Sequence, residues 1–332
     1  GMDTHAPLYK LVMPYVMSKI FNKTVAEIRR EEPLSILGPN IVELEDDMLT
    51  VKSDPKRILP AMNNAPKGSQ LREHSFYEAA SLRKFGNLYY FIYSSYVNHE
   101  LCYATSFYPD HGYEYRGVII SNGDIGIDGR AAKDRLYPTG TNHGSIEKIN
   151  GKYYIFYHRQ THNSAFSRQA CAEEIEILPD GTIPQVEMTS CGLNDGPLPA
   201  ERTYPAAVCC NLTNGRMPHL SNVKKNPPSP NVNQEDDTVF VKDVENHTLL
   251  GYKYFDFHGA FRISVATRGA AGVFKIYTDV KKGAKPLGKI PIEESADWRR
   301  SAGVSLDIRG VQPLYFAYEG EGKLDFLEFA FF

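Results

Sequence analysis

Tryptophan is nearly missing from this sequence, with a single Trp298 in 332 residues against 21 Tyr and 17 Phe, so any aromatic platform beyond Trp298 has to be built from Tyr or Phe. Basic clusters are missing too, and with a formal net charge of −3 the chain offers no footprint for nucleic acid or an acidic membrane surface. Long apolar runs are absent. The most apolar stretch, 8–21, is broken by Lys10, Pro14 and Lys19, which excludes both a membrane span and a signal-peptide core. Cysteine is scarce and odd in number: Cys102, Cys171, Cys191, Cys209 and Cys210 show no metal-site spacing. Free, mostly buried thiols in a reducing, cytoplasmic setting are therefore expected. Gly1 ahead of Met2 reads as a cleavage scar. What is plentiful is Tyr and Phe punctuated by Gly and Pro, which favours strands over helices and an all-β core.

Residues 8–31 carry the one extended helical signal. Leu8, Leu11, Val12, Tyr15, Val16 and Ile20 recur at helical spacing, and Thr24 to Arg30 continue the pattern after a polar break. Pro33 and Gly38-Pro39 end it, giving a helical and irregular segment over 1–40. Ile41–Leu44 and Met48–Val51 flank the acidic turn Glu45-Asp46-Asp47 and read as a hairpin, followed by a polar loop over 60–74.

Two segments then match each other without a gap. Ser81–Tyr93 aligns with Ser145–Tyr157, each copy a strand, a Gly/Asn turn and an aromatic strand. Further strands are expected at Leu101–Ser106 and Tyr113–Ile120 after the first copy, and at Arg168–Leu178 and Ile183–Thr189 after the second. Four strands repeated at fixed spacing is the sequence signature of propeller blades, so residues 41–195 are read as part of a β-propeller. From 196 the repeat stops. A polar, Pro-rich loop is expected over 217–237, and short strands at 252–257, 261–267, 274–278, 304–308, 314–318 and 324–331 make 196–332 a β-sandwich.

Several motifs within this frame are familiar together. They are Glu43–Leu49, Glu78 in Ser75-Phe76-Tyr77-Glu78-Ala79-Ala80-Ser81, and Asn142-His143-Gly144-Ser145. Tyr154–Arg159, Phe166–Gln169 and Val186–Ser190 complete the set. Over 41–193 they resemble glycoside hydrolase family 43, the five-bladed β-propeller enzymes that act as β-xylosidases, α-L-arabinofuranosidases and arabinanases. Gly310–Phe329 is similar to the β-sandwich of carbohydrate-binding module family 6. The resemblance implies an inverting glycosidase acting on plant-type oligosaccharides or polysaccharides that contain arabinose or xylose, with no required cofactor.

Glycoside hydrolysis needs a protonated carboxylic acid at the leaving oxygen and a second carboxylate opposite it. The resemblance implies Glu78 as the acid, with His143 and Arg168 holding substrate and His143 able to carry a hydrated Ca²⁺. The residues themselves leave other readings open. Glu78 also reads as a salt-bridged strand-start residue, His143 as a core His, and Arg168 as an ion-pair partner of Glu173 or Glu174. Asp124 and Asp128 read as turn residues.

Departures from the family pattern shape the expectation further. The general base should be an Asp beside Pro in an early blade, yet the Asp-Pro upstream of Glu78 is Asp54-Pro55, in what reads as an outer strand. The chain therefore looks shortened at its start relative to the family, which suggests an apolar wall along Tyr89–Tyr93 and Tyr153–Tyr157 and a homodimer that covers it. In the sandwich, Ser301 stands where the resemblance places a stacking ring, and Lys323 where it places an Asn. A carbohydrate-binding or vestigial protein without turnover is the alternative function.

Overall fold

The computed structural model describes residues 7–20, 22–31, 38–62, 65–216, 229–281 and 283–332. They divide into two compact units, residues 1–118 with 178–183, and residues 119–177 with 184–332. The expected boundary at 195/196 falls inside the second unit.

The first unit opens with helix α1 (Pro7–Ile20) and helix α2 (Val25–Glu31), as the helical spacing predicts. Thr24 caps α2: its hydroxyl accepts the Glu27 amide at 3.2 Å while the Glu27 carboxylate accepts the Thr24 amide at 2.7 Å, a capping box. The apolar stripe of α1 is uncovered, with Leu11, Tyr15 and Ile20 each more than half exposed. Strands β1 (Asn40–Ile41) and β2 (Lys56–Arg57) pair antiparallel, and the Leu44–Val51 bridge closes the hairpin expected over 41–51 with fewer rungs than its pattern suggests. The loop expected over 60–74 holds one short helix, α3 (Gln70–Glu73), with Ser69 as its cap; residues 63 and 64 lie outside the described set.

A four-stranded sheet follows: β3 (Phe76–Phe85), β4 (Leu88–Ser95), β5 (Glu100–Ser106) and β6 (Glu114–Ser121), in sequence order, the last residues of β6 being counted with the second unit. Ile58, Leu59, Phe91, Tyr93, Cys102, Ala104 and Tyr113 form its core. Residues 178–183 pack on the same sheet, where the Tyr90 hydroxyl donates to the Gly181 carbonyl at 3.1 Å.

The second unit begins with β7 (Ser145–Ile149), β8 (Lys152–Gln160) and β9 (Arg168–Ile175), the second copy of the repeat. Both copies turn where the sequence places Gly/Asn, with Gly86, Asn150 and Gly151 at positive φ. The fourth strand expected over 183–189 does not form; Val186 makes a lone parallel bridge to Ile120. The reason is local. Pro184 has no amide proton, and the Met188 and Thr189 amides donate to the carboxylates of Asp124 (2.7 Å) and Glu173 (2.8 Å) instead of a neighbouring strand. Nor is there an apolar wall: Tyr90, Phe91, Ile92 and Tyr93 are buried, as are Tyr154, Ile155 and Tyr157.

The remaining strands are β10 (Leu198–Pro199), β11 (Thr203–Pro205), β12 (Asn211–Thr213), β13 (Asn231–Glu235), β14 (Thr238–Val244), β15 (Leu249–Gly269), β16 (Gly272–Tyr277), β17 (Gly288–Ile292), β18 (Ser295–Arg300), β19 (Val304–Glu319) and β20 (Leu324–Phe331). They form one 11-stranded network with the path β13-β14-β20-β15-β19-β16-β17. Two pairs of expected strands are fused, 252–257 with 261–267 in β15 and 304–308 with 314–318 in β19. At 21 residues, a straight β15 would run roughly 70 Å, but its pairing is interrupted and it bends. The bends are marked by register shifts at Tyr252/Phe255 and Ala266/Thr267 and by Gly259 at φ +120°, a backbone angle that suits glycine. Phe255, Phe274, Phe316, Phe326 and Phe329 fill the interior in tilted and edge-on contacts, as aromatic quadrupoles prefer. Part of the loop expected over 217–237 is strand, since β13 and β14 form a hairpin around Asp236; residues 217–228 lie outside the described set. Among the described residues no helix is long and apolar enough to cross a membrane.

Candidate functional site

Glu78 lies on β3, the first strand of its sheet, opposite Ser94 of β4. Register shifts flank it on both sides, between Phe76 and Glu78 and between Glu78 and Ser81, and Ala79 sits at φ +64°. Such a bulge re-aims side chains and breaks their alternation. Here it leaves Glu78 exposed and Ala79 buried. A carboxyl presented by a kinked strand edge is available to a ligand, and none of the described ion pairs takes it up as the salt-bridged alternative would require.

His143 and Arg168 belong to the second unit, just before β7 and at the start of β9. Asn142, fully buried, organises the surroundings of His143: its side-chain oxygen accepts the amides of His143 (2.9 Å) and His158 (3.3 Å). Arg168 is exposed and donates to the Thr141 hydroxyl at 3.3 Å. The ion pair of Arg168 with Glu173 or Glu174 does not form. Glu174 binds Lys152 at 2.8 Å, and Glu173 points to the opposite face of β9, where it accepts from Tyr157 and Thr189. His158 completes the group. Burial, with Arg168 and then His143 adding to it, pushes its pKa down to about 4, so it is neutral near neutral pH. Its Nδ1 is buried and, among the described residues, without a hydrogen-bond partner. A neutral imidazole beside an exposed guanidinium and a second His is suited to hydroxyl-rich ligands.

The sequence reading missed the carboxyl groups around a cavity of about 580 Å³ in the second unit, whose lining includes Asp128, Glu173, Gln185, Glu187, Asn194 and Tyr254. Asp124, read as a turn residue, is instead buried beneath this region, bound to Lys253 (2.8 Å) and Asn211 (3.0 Å). Glu187 takes the other side of Lys253 at 2.6 Å. Glu173 is buried and its pKa is raised to about 7 by that burial, against the hydrogen bonds from Thr189 and Tyr157 that favour its charged form. The sign of its effect on stability follows. Between about pH 4.5 and 7 the folded chain holds a proton that the unfolded chain has released, so this group's contribution is present below pH 4.5 and is lost as pH rises to 7. Glu173→Gln keeps the shape and removes the titration. Relative to the variant, the wild type is expected to lose about 3 kcal/mol between pH 4.5 and 7.5 in urea unfolding. Parallel pH profiles for the two proteins would contradict this.

In the 11-stranded part, Trp298 stands edge-on to Phe240 and under the Arg268 guanidinium at 4.5 Å, so the ring is engaged within the fold. Ser301 is tied to β15, its amide donating to the Val265 carbonyl (2.8 Å), and Lys323 pairs with Asp243 at 3.6 Å. No stacking ring stands at position 301, as the sequence reading expects.

No family model matches the sequence. Among curated proteins, a "Xylosidase/arabinosidase" from Thermoclostridium stercorarium is 43% identical over 312 residues, 91% of this chain. The chain spans 64% of that relative's length. Among solved structures, a glycoside hydrolase family 43 arabinoxylan arabinofuranohydrolase from Bacillus subtilis, in complex with cellotetraose, aligns with 88% of this chain and 58% of its own, at 18% identity and TM-score 0.41. CsCBM6-3 from Clostridium stercorarium, in complex with cellobiose, aligns with 41% of this chain and 97% of its own, at 15% identity and TM-score 0.34. Over nearly its whole length the chain is similar to a protein named for xylosidase and arabinosidase activity.

Proposed function

We propose that this chain carries the acid-bearing part of a glycoside hydrolase acting on arabinose- or xylose-containing oligosaccharides and polysaccharides. The observation that carries the reading is the 43% identity, over 91% of the chain, to a protein named for xylosidase and arabinosidase activity. In this reading Glu78, presented by the β3 bulge, protonates the departing glycosidic oxygen, and a water activated by a base on the opposite face inverts the anomeric centre. His143, His158 and Arg168 hold sugar hydroxyls. Hydrolysis of aryl α-L-arabinofuranosides and β-D-xylosides, compared between wild type and Glu78→Gln, tests the proposal. Equal rates for the two proteins would sink it.

A second reading, sugar binding without turnover, is favoured by one observation. Asp54, the Asp of the upstream Asp-Pro pair, lies exposed between the Leu44–Val51 bridge and β2, outside the four-stranded sheet that carries Glu78. An absence of hydrolysis together with saturable oligosaccharide binding would select this reading.

A hydrated Ca²⁺ at His143 fits poorly with the groups around it. The charged neighbours that act on His158 there are Arg168 and His143, and among the described residues His143 joins no cluster of three metal-capable side chains. No step is assigned to the ion. Homodimerisation belongs to the proposal on different grounds from the apolar wall. The exposed stripe of α1, with Met48 and Leu49 also uncovered, supports it, and sedimentation at micromolar concentration is expected to give twice the chain mass. A monomer would remove that part. A cytoplasmic setting is supported by five free thiols.

A further inference from the structure

The first unit contains a cluster that the glycosidase reading does not use. His74 lies two residues before β3, and Glu100 and Cys102 lie two apart on the same face of β5. Their ligand atoms, one nitrogen, one carboxylate oxygen and one sulfur, all fall within 4.8 Å of one another. Glu100 is 3% exposed and Cys102 fully buried, while the His74 side chain is 29% exposed and leaves a way in from solvent.

The contacts converge on one atom. Glu100 Oε1 receives His74 Nδ1 at 2.6 Å, the Ser95 hydroxyl at 2.5 Å and the Cys102 thiol at 3.3 Å. A carboxylate oxygen offers about two lone-pair sites, so three donors on a single oxygen exceed what it can satisfy. A cation at the point where nitrogen, oxygen and sulfur meet resolves the crowding, because all three atoms then turn lone pairs toward it. The surroundings are those of a supported site. The His74 ring stacks on Tyr115 at 5.8 Å, and its backbone carbonyl accepts the Tyr93 hydroxyl at 2.9 Å, so both the ring face and the residue's backbone are supported.

We propose that His74, Glu100 and Cys102 bind a divalent transition-metal ion of the zinc type. The donor set chooses the ion: one imidazole, one thiolate and one carboxylate suit a borderline-soft cation and are wrong for Ca²⁺ or Mg²⁺, which take oxygen. Binding displaces the thiol proton of Cys102 to solvent, so affinity rises with pH. The ion fastens the start of β3 to β5, four residues before Glu78, and its role is structural.

Metal-free chain titrated with Co²⁺ is expected to develop a thiolate-to-cobalt charge-transfer band that saturates at one ion per chain and is displaced by Zn²⁺. Zn²⁺ is also expected to raise the melting temperature. His74→Ala and Cys102→Ala should each weaken binding by at least about 100-fold. Cys191→Ala, at a half-buried thiol elsewhere, should leave it unchanged. His74 is partly exposed, so its variant reads out even if the change at buried Cys102 impairs folding. No saturating band in the wild type, or a band that survives both His74→Ala and Cys102→Ala, overturns the proposal.

Discussion

Lys253→Met is expected to destabilise the chain by about 3–5 kcal/mol, because it leaves a buried carboxylate without its cation. Lys253 Nζ lies 2.8 Å from Asp124 and 2.6 Å from Glu187, with Asp124 1% exposed. Asp124 does more than neutralise charge. One oxygen accepts the Met188 amide, and the other accepts both Asn211 and Lys253, so residues 124, 188, 211 and 253 meet at one carboxylate. Removing the ammonium strands a charge that water cannot reach. Asp124→Asn in the Lys253→Met background should recover part of the loss, since the amide oxygen still accepts a hydrogen bond and carries no net charge. Chemical denaturation of the two single variants and the double variant measures this directly. A loss below about 1 kcal/mol for Lys253→Met would mean that water screens the triad.

Glu78→Gln is expected to lower kcat/KM by about 10²–10⁴-fold on oligosaccharides, the range that loss of a positioned general acid produces. The effect should shrink on aryl glycosides whose leaving groups depart unaided. The dependence on leaving group separates an acid from a merely structural residue, because a structural role would depress every substrate alike. The β3 bulge supplies the physical reason to expect little disturbance of the fold: Glu78 is exposed, and its neighbour Ala79 takes the inward place. Uniform losses across leaving groups would reassign Glu78 to a positioning role.

The parts of this molecule that the sequence reveals are those written in short-range pattern. Ser81–Tyr93 and Ser145–Tyr157 become β3–β4 and β7–β8 because alternation and a Gly/Asn turn specify a hairpin locally. Thr24 and Glu27 likewise announce α2. Polar β13 gives no such signal, and the gap between the strands expected over 252–257 and 261–267 is a bend within β15. Asp124 looked like a turn residue because its loop has turn composition, whereas its partner, Lys253, is 129 residues away. In the sequence Glu173 reads as a partner for Arg168. Alternation along β9 sends the two to opposite faces, a signal that was present in the sequence. Cys102 has no metal-site spacing, and only the pairing of β4 with both β3 and β5 brings it to His74.

The most direct test of the central claim is a titration with arabinose-substituted xylo-oligosaccharides, following side-chain NMR signals of the full-length chain labelled at Glu, His and Arg. The account predicts that the Glu78 carboxyl carbon shifts along a saturating curve, while the side-chain nitrogens of His258 and Arg309, on the 11-stranded part, stay still. Saturation that moves only residues of the 11-stranded part, or no saturable shift at Glu78 at any oligosaccharide concentration, would contradict it.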